Sequence, residues 1–411
     1  MDQCLRLRQP VFQPFPETSE RYSPGRLFAP SCNTVTAQRT SLIALLALLG
    51  LTSACADETG DPEPLTASQS IVAPPAVQTP AEPPASDDQI PTSMPPVTDT
   101  DPVEEPVTPR GALANPVIAA DCADPHVLFD GGAWHAFCTQ SGLSVTPHYM
   151  STDLQNWRSV GNAMPQIASW VGFGLNWAPS VAKFGTKYVM YYSALKKGTG
   201  QHCLGRAVSS SINGPFVDEL TAPFVCASGG YWSLDPSPYT APSGKRYLLW
   251  RQDTAAQSAG NVAVRELSTD GRSFASGSAQ KIILSKQNGT WEDPVMENPS
   301  MIAMGGKFYL FYSANAWDTG KYGIGYAVCE TVTGPCTKKT ASRPWFSTFF
   351  AISGPGGQDF FTDTKGQSWI SMHGWTTGKV GYDNGGARSL WVFRFGIEAD
   401  GPHIYQPVPA E

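Results

Sequence analysis

Five stretches of this chain share one pattern: a glycine turn followed by a short alternating strand rich in aromatic residues. They are GGAWHAFCT at 131–139, GTKYVMYYS at 185–193, GKRYLLWRQ at 244–252, GGKFYLFYS at 305–313 and KGQSWISMHGW at 365–375. Trp134, Tyr188, Tyr247, Phe308 and Trp369 mark the register, at spacings of 54, 59, 61 and 61 residues. Long, even steps filled with short strands and glycine-rich turns are the mark of blades set around an axis. The reading is all-β: a five-bladed β-propeller in which each repeat is a four-stranded blade. Lesser motifs recur in step, STDLQNW (151–157) with STDGRSF (268–274) and NGPF (213–216) with TGPC (333–336). A β-sandwich does not repeat at such intervals, and helical periodicity is nearly absent after residue 110.

The rest of the 411 residues divide cleanly. Residues 1–55 hold an apolar run of ten, LIALLALLGL at 42–51, after Arg39 and before Thr52, Ser53, Ala54 and Cys55. The run is too short to span a bilayer and reads as an export signal. Small residues before Cys55 resemble a bacterial lipoprotein signal, in which that cysteine is lipidated; the plainer alternative is a secretory signal cleaved near Ala54. The 34 residues ahead of it suggest an overextended start, with Val35 as an initiator. Residues 56–110, rich in Pro, Asp, Glu and Thr, bury too little apolar surface to offset ordering entropy and read as an extended disordered linker. Residues 111–411 are left as the propeller domain.

The formal charge of −7 belongs to the linker, which carries eleven acids against one base, Arg110. The remainder is slightly basic, with no stripe of Lys and Arg among aromatics, so nucleic acid is excluded as the expected partner. Six of nine cysteines fall in the propeller segment. An even number in an exported domain reads as disulfides, and short loops favour Cys122 with Cys138, Cys203 with Cys226, and Cys329 with Cys336. No zinc-type spacing of His and Cys is present.

Three acids open three of the repeats: Asp124 in DCADPHVLFDGG, Asp235 in YWSLDPSPYTAPSG and Glu297 in WEDPVMENPSMIAMGG. They lie 10, 12 and 11 residues before Trp134, Tyr247 and Phe308, an offset that predicts equivalent ends of their sheets, converging on the axis. Asp-Pro also opens turns without any chemistry. Joint occurrence at matching positions is what turns the reading to a carbohydrate hydrolase.

In order and spacing, ADPHVLFDGGAWHAF, NWAPSVAKFGTKYVMYYS, SLDPSPYTAPSGKRYLL, MENPSMIAMGGKFYLFYS, GPGGQDFFTDTKGQSWISMHGW and GGARSLWVFRFGIEADGP resemble glycoside hydrolase family 43 across all five blades, from about 115 to 410. The resemblance implies an inverting glycosidase, first an α-L-arabinofuranosidase, with β-xylosidase or endo-arabinanase close behind. It implies Asp124 as the general base, Glu297 as the general acid, and Asp235 as the residue that orients Glu297 and tunes it. Inversion needs an ionised carboxylate and a protonated one about 6.5–9.5 Å apart across the sugar. Trp177 resembles a pocket residue and Arg388 an arginine that reaches the active site, while Phe173, Trp232 and Trp375 are candidates to stack on the sugar face. Ser180 stands where many relatives have an acid. His373 falls where some relatives face a water-coordinated calcium in the channel, although Gly357 and Gln358 stand where several carry His; no cofactor is required, and a structural calcium stays open. The expected partner is a polysaccharide or oligosaccharide. The expected state is a monomer, exported, with membrane contact only through a lipid at Cys55. The reading from a different class is a non-catalytic carbohydrate-binding propeller on the cell surface.

Overall fold

The computed structural model describes residues 113–172 and 176–405; the export signal, Cys55, the linker and Phe173 lie outside them. Among the described residues are five antiparallel sheets, four of four strands and one of three. Their inner strands are His126–Asp130, Trp177–Phe184, Trp232–Thr240, Met296–Met304 and Ile352–Thr362, which open blades 1 to 5 in chain order. The register marks behave as the repeat predicts. Each pairs with the inner strand of its own blade: Phe129 with Trp134, Lys183 with Tyr188, Tyr239 with Tyr247, Ala303 with Phe308, and Phe361 with Trp369.

Turn chemistry sets the hairpins. In blades 1 and 4 the inner two strands are joined by Gly131-Gly132 and Gly305-Gly306, all with φ between 57° and 84°. Two-residue loops of that backbone match the twist of the strands they connect. The recurrent STD motifs are Asx turns that lead toward the outer edges, with Asp153 accepting from Gln155 and Asn156 N–H and Asp270 from Arg272 N–H.

Blade 2 departs from the four-stranded expectation. Its outer edge is carried by isolated bridges, Val208 with Val217 and Leu204 with Val225. Between them the Asp218 carboxylate turns inward and accepts from Arg206 N–H, Tyr192 Oη and Trp170 Nε1. A side chain thus takes a ladder hydrogen bond that a fourth strand would make.

Aromatic residues from neighbouring sheets fill the seams. Trp134, Trp250, Tyr191, Tyr312 and Phe311 are essentially inaccessible to solvent, each worth about 1.5–3 kcal/mol of transfer free energy. Three disulfides are formed, Cys122–Cys138, Cys203–Cys226 and Cys329–Cys336, as the short-loop argument expects. The circle closes where the segment before blade 1 lies along blade 5. Ile118 bridges Leu390, and Cys122 N–H donates to Arg388 O at 2.9 Å.

Candidate active site

Every inner strand approaches the axis through the same two-residue bulge. Its first residue is Asp124, Ala178, Asp235, Asn298 or Gly357, with φ of 48°, 44°, 55°, 50° and 59° in blades 1 to 5. Its second is proline in four blades and Gln358 in the fifth. The ladder is interrupted there, between Trp177 and Ser180, Leu234 and Ser237, Glu297 and Ser300, and Gly356 and Asp359. Proline suits the place because it has no N–H to leave unpaired. Left-handed backbone costs a non-glycine residue about 1–3 kcal/mol, so the surroundings have to enforce it.

They do so through a ring of hydrogen bonds running from blade to blade. The bulge N–H of each blade donates to a side chain of the blade before it: Ala178 to Thr139 Oγ1 at 2.8 Å, Asp235 to Ser193 Oγ at 2.8 Å, and Gly357 to Ser313 Oγ at 2.9 Å. Asp124 closes the ring on His373 Nδ1 at 3.0 Å. Blade 3 breaks the pattern, since Arg251 stands where an acceptor is needed, opposite Leu234, and a guanidinium has none. Asn298 N–H turns instead to Asp235 Oδ2 at 3.1 Å.

The same shift separates the acids. Asp124 and Asp235 are bulge residues, whereas Glu297 stands one residue ahead of the bulge of blade 4, in the register of Trp177 and Leu234. The equivalence expected from the common offset therefore holds for the two aspartates and not for the glutamate. Glu297 is met by Arg251 Nη1 at 2.6 Å and by Tyr322 Oη, which donates to Oε1 at 2.7 Å. Asn298 joins the three acids: Nδ2 donates to Asp124 Oδ1 at 3.1 Å and Tyr322 Oη at 3.2 Å, while its N–H holds Asp235. The three carboxyls predicted from sequence thus share one cluster, with small exposed edges of 13% on Asp124 and 12% on Glu297.

Their electrostatics are unequal. Burial works against an ionised Asp124; the charge of His373 once it is protonated, that of Arg388, with Nη1 3.9 Å from Oδ2, and the hydrogen bonds from Thr139 and Asn298 oppose it, and together they hold its pKa below the usual range. Burial drives His373 to about 3, however, and its Nδ1 accepts the Asp124 N–H, so at neutral pH it is uncharged. Asp235 is pushed up to about 8, first by burial and then by the negative charge of Glu297, with Arg251 opposing. Glu297 is raised by burial, against Arg251 and the Tyr322 hydroxyl. The Asp235–Glu297 pair retains a proton where Asp124 has lost its own.

Of the remaining predicted residues, Arg388 reaches Asp124, and His373 supports it from full burial rather than from the pocket surface. Trp177 and Trp232 are half-buried and flank His202, with ring centroids 4.3 and 4.6 Å away. Trp375, read as a stacking residue, is fully buried: its indole donates to Trp317 O at 3.0 Å, and its ring lies beneath Tyr382, so it offers no face to a sugar. Sequence reasoning passed over Arg251, Asn298, Tyr322 and Thr139.

The bulges of all five blades, Asp124 and Asp235 among them, line an axial cavity of about 30 Å³. Gly357, in that lining, packs against His373. The tautomer that accepts at Nδ1 leaves His373 with a hydrogen on Nε2, a group suited to an acceptor rather than a cation. Asp359 is engaged by His126 Nδ1 at 2.5 Å.

The family model described as glycosyl hydrolases family 43 matches residues 113–402. Extracellular endo-alpha-(1->5)-L-arabinanase 1 of Bacillus subtilis (strain 168) is 26% identical over 257 residues, which cover 57% of this chain and 76% of that protein. Alpha-L-arabinofuranosidase 43 of Humicola insolens is 24% identical over 272 residues, covering 61% of this chain and 54% of that protein. The chain therefore spans only about half of that second relative. Among solved structures, a thermostable family-43 glycoside hydrolase superposes with a TM-score of 0.63 at 24% identity, covering 73% of this chain and 97% of its own. The Cellvibrio cellulosa alpha-L-arabinanase does so with 0.57 at 19% identity, covering 69% and 95%. At such identities the superpositions speak for the fold.

Proposed function

Because the chain belongs to glycosyl hydrolases family 43, a family of glycosidases acting on polysaccharides or oligosaccharides, we propose that it cleaves arabinose-containing glycans with inversion, releasing L-arabinofuranose. The observation that carries this reading is the gathering of three carboxyls around Asn298, with Arg388 beside Asp124 and Arg251 on Glu297. Asp124, ionised beside Arg388, takes the proton from a water that attacks the anomeric carbon. Glu297 gives a proton to the leaving oxygen on the opposite side of the sugar. Asp235 keeps that proton available, because a second negative charge next to Glu297 is unfavourable. Arg251 and Tyr322 fix the Glu297 carboxyl, and Trp177 stands in the Glu297 register of blade 2.

Two relatives, an endo-alpha-(1->5)-L-arabinanase and an exo-alpha-(1->5)-L-arabinofuranosidase, support arabinose as the sugar. Both are named extracellular, which supports export of this chain.

The test is proton NMR of the purified protein with an aryl α-L-arabinofuranoside and with debranched arabinan. The β-anomer of arabinose should appear before mutarotation. First appearance of the α-anomer would remove the inverting mechanism. Glycan binding without turnover, unchanged by Glu297→Gln, would replace the enzyme with a surface receptor.

A further inference from the structure

Among the described residues the exposed tryptophan and phenylalanine side chains are Trp317, on the loop between the second and third strands of blade 4, and Phe349 and Phe350, on the loop between blades 4 and 5. Trp317 is 37% exposed, and its neighbour Tyr382, on the blade 5 loop, is 46% exposed. Their rings are 6.1 Å apart and tilted by 56°, forming the two walls of a shallow angle. Three groups hold them in place. Trp375 lies edge-on beneath Tyr382 at 5.0 Å and donates to Trp317 O. Asp121 accepts from Tyr382 Oη at 3.1 Å. The Arg388 guanidinium sits 4.6 Å from the Trp317 ring and 5.8 Å from Tyr382, with Nε donating to Tyr382 Oη at 3.0 Å. That guanidinium also stands 3.9 Å from Asp124 Oδ2, so the aromatic angle is continuous with the acid cluster.

We propose that Trp317 and Tyr382, propped by Arg388, form a sugar subsite that receives a neighbouring unit of the polysaccharide bound at the acid cluster. This rests on the glycosidase reading of that cluster. A furanose or pyranose ring has an apolar C–H face and a hydroxylated rim. Fixed aromatic faces suit the first, while the guanidinium and the phenol edge suit the second. Rings already locked from below lose little freedom on binding. Phe349 and Phe350 extend the same face, since Thr348 Oγ1 ties their loop to Gly320 O and Thr377 Oγ1 ties it to Phe350 O.

The experiment compares kcat/KM for short arabino-oligosaccharides with kcat/KM for an aryl arabinofuranoside, using the full chain and its Trp317→Ala and Trp317→Phe forms. Trp317→Ala should lower the oligosaccharide-to-aryl ratio by about tenfold or more, with Trp317→Phe restoring most of it. An unchanged ratio overturns the subsite, whether both substrates suffer equally through Arg388 or neither suffers. Calorimetric titration of Glu297→Gln with the same oligosaccharides separates the two readings. Binding that depends on Trp317, in a protein that turns over neither substrate, would leave the subsite standing and remove the hydrolase. Titration showing no dependence on Trp317 would remove the subsite.

Discussion

His373 Nδ1 accepts the backbone N–H of Asp124 at 3.0 Å, so the last blade holds the first bulge of the ring in place. The contact fixes both the left-handed backbone of Asp124 and the tautomer of the imidazole. His373→Phe preserves bulk but offers no acceptor, leaving a buried N–H unpaired at a cost of about 1–3 kcal/mol. Thermal melting should fall accordingly, and kcat should fall with it because Asp124 is displaced. Since burial takes the ring to about 3, the wild-type pH profile should carry no inflection from His373 near neutrality. Unaltered melting and turnover in the Phe variant would show that the ring does not need this acceptor.

Thr139 serves the ring and the base together. Its hydroxyl donates to Asp124 Oδ2 at 2.7 Å and accepts from Ala178 N–H. Thr139→Val is nearly isosteric and removes both bonds, so about 1–3 kcal/mol of stability should be lost. The ionised form of Asp124 loses a donor, and its pKa should rise, moving the acid limb of the kcat/KM profile to higher pH. Denaturant midpoints and a pH series measure the two effects separately. A stability loss with no movement of the limb would assign Thr139 to structure alone.

Asp235 should govern the alkaline side. Burial and the Glu297 charge lift it from 3.8 to about 8. Between those values the folded protein keeps a proton that the unfolded chain has released. Its stabilising term is therefore full below 3.8 and is lost as pH rises toward about 8, with a slope approaching about 1.4 kcal/mol per pH unit. Asp235→Asn should flatten that dependence. It should also bring the alkaline limb of activity to lower pH, because Glu297 then titrates alone rather than within a pair that holds its last proton to higher pH. An alkaline limb that stays in place would detach Asp235 from the control of Glu297.

Much of this arrangement is legible in the spacing of the chain, and the part that is not has an identifiable cause. Asp124, Ala178 and Asn298 each stand 10 residues before their register marks, where two-residue hairpins follow. Asp235 and Gly357 stand 12 before theirs, because loops of five residues separate the hairpin strands in blades 3 and 5. Glu297, at 11, matches neither class, a signal that it leaves the sheet one residue ahead of the bulge. Arg251 falls four residues after Tyr247, as His373 falls four after Trp369, whereas Thr139, Ser193 and Ser313 fall five after their marks. Tyr322 arrives from the loop between the second and third strands of blade 4, where no periodicity points inward. Trp375 shows the limit of reading an aromatic by type, since strand alternation does not tell that a loop covers its outer face.

The two remaining acids should be separable by leaving group. Glu297 supplies a proton to the departing oxygen, a need that shrinks as that oxygen becomes a better leaving group. Glu297→Gln should therefore cost about 10²–10⁴ in kcat on arabino-oligosaccharides and much less on a dinitrophenyl arabinofuranoside. Asp124 acts on the attacking water, whatever departs, so Asp124→Ala should abolish turnover of both substrates. Asn298 and Thr139 then lose a hydrogen-bond acceptor, yet the bulge N–H still has His373 to receive it, and circular dichroism should report an intact fold. Equal losses for the two variants on the activated substrate would mean that Glu297 does more than protonate the leaving group.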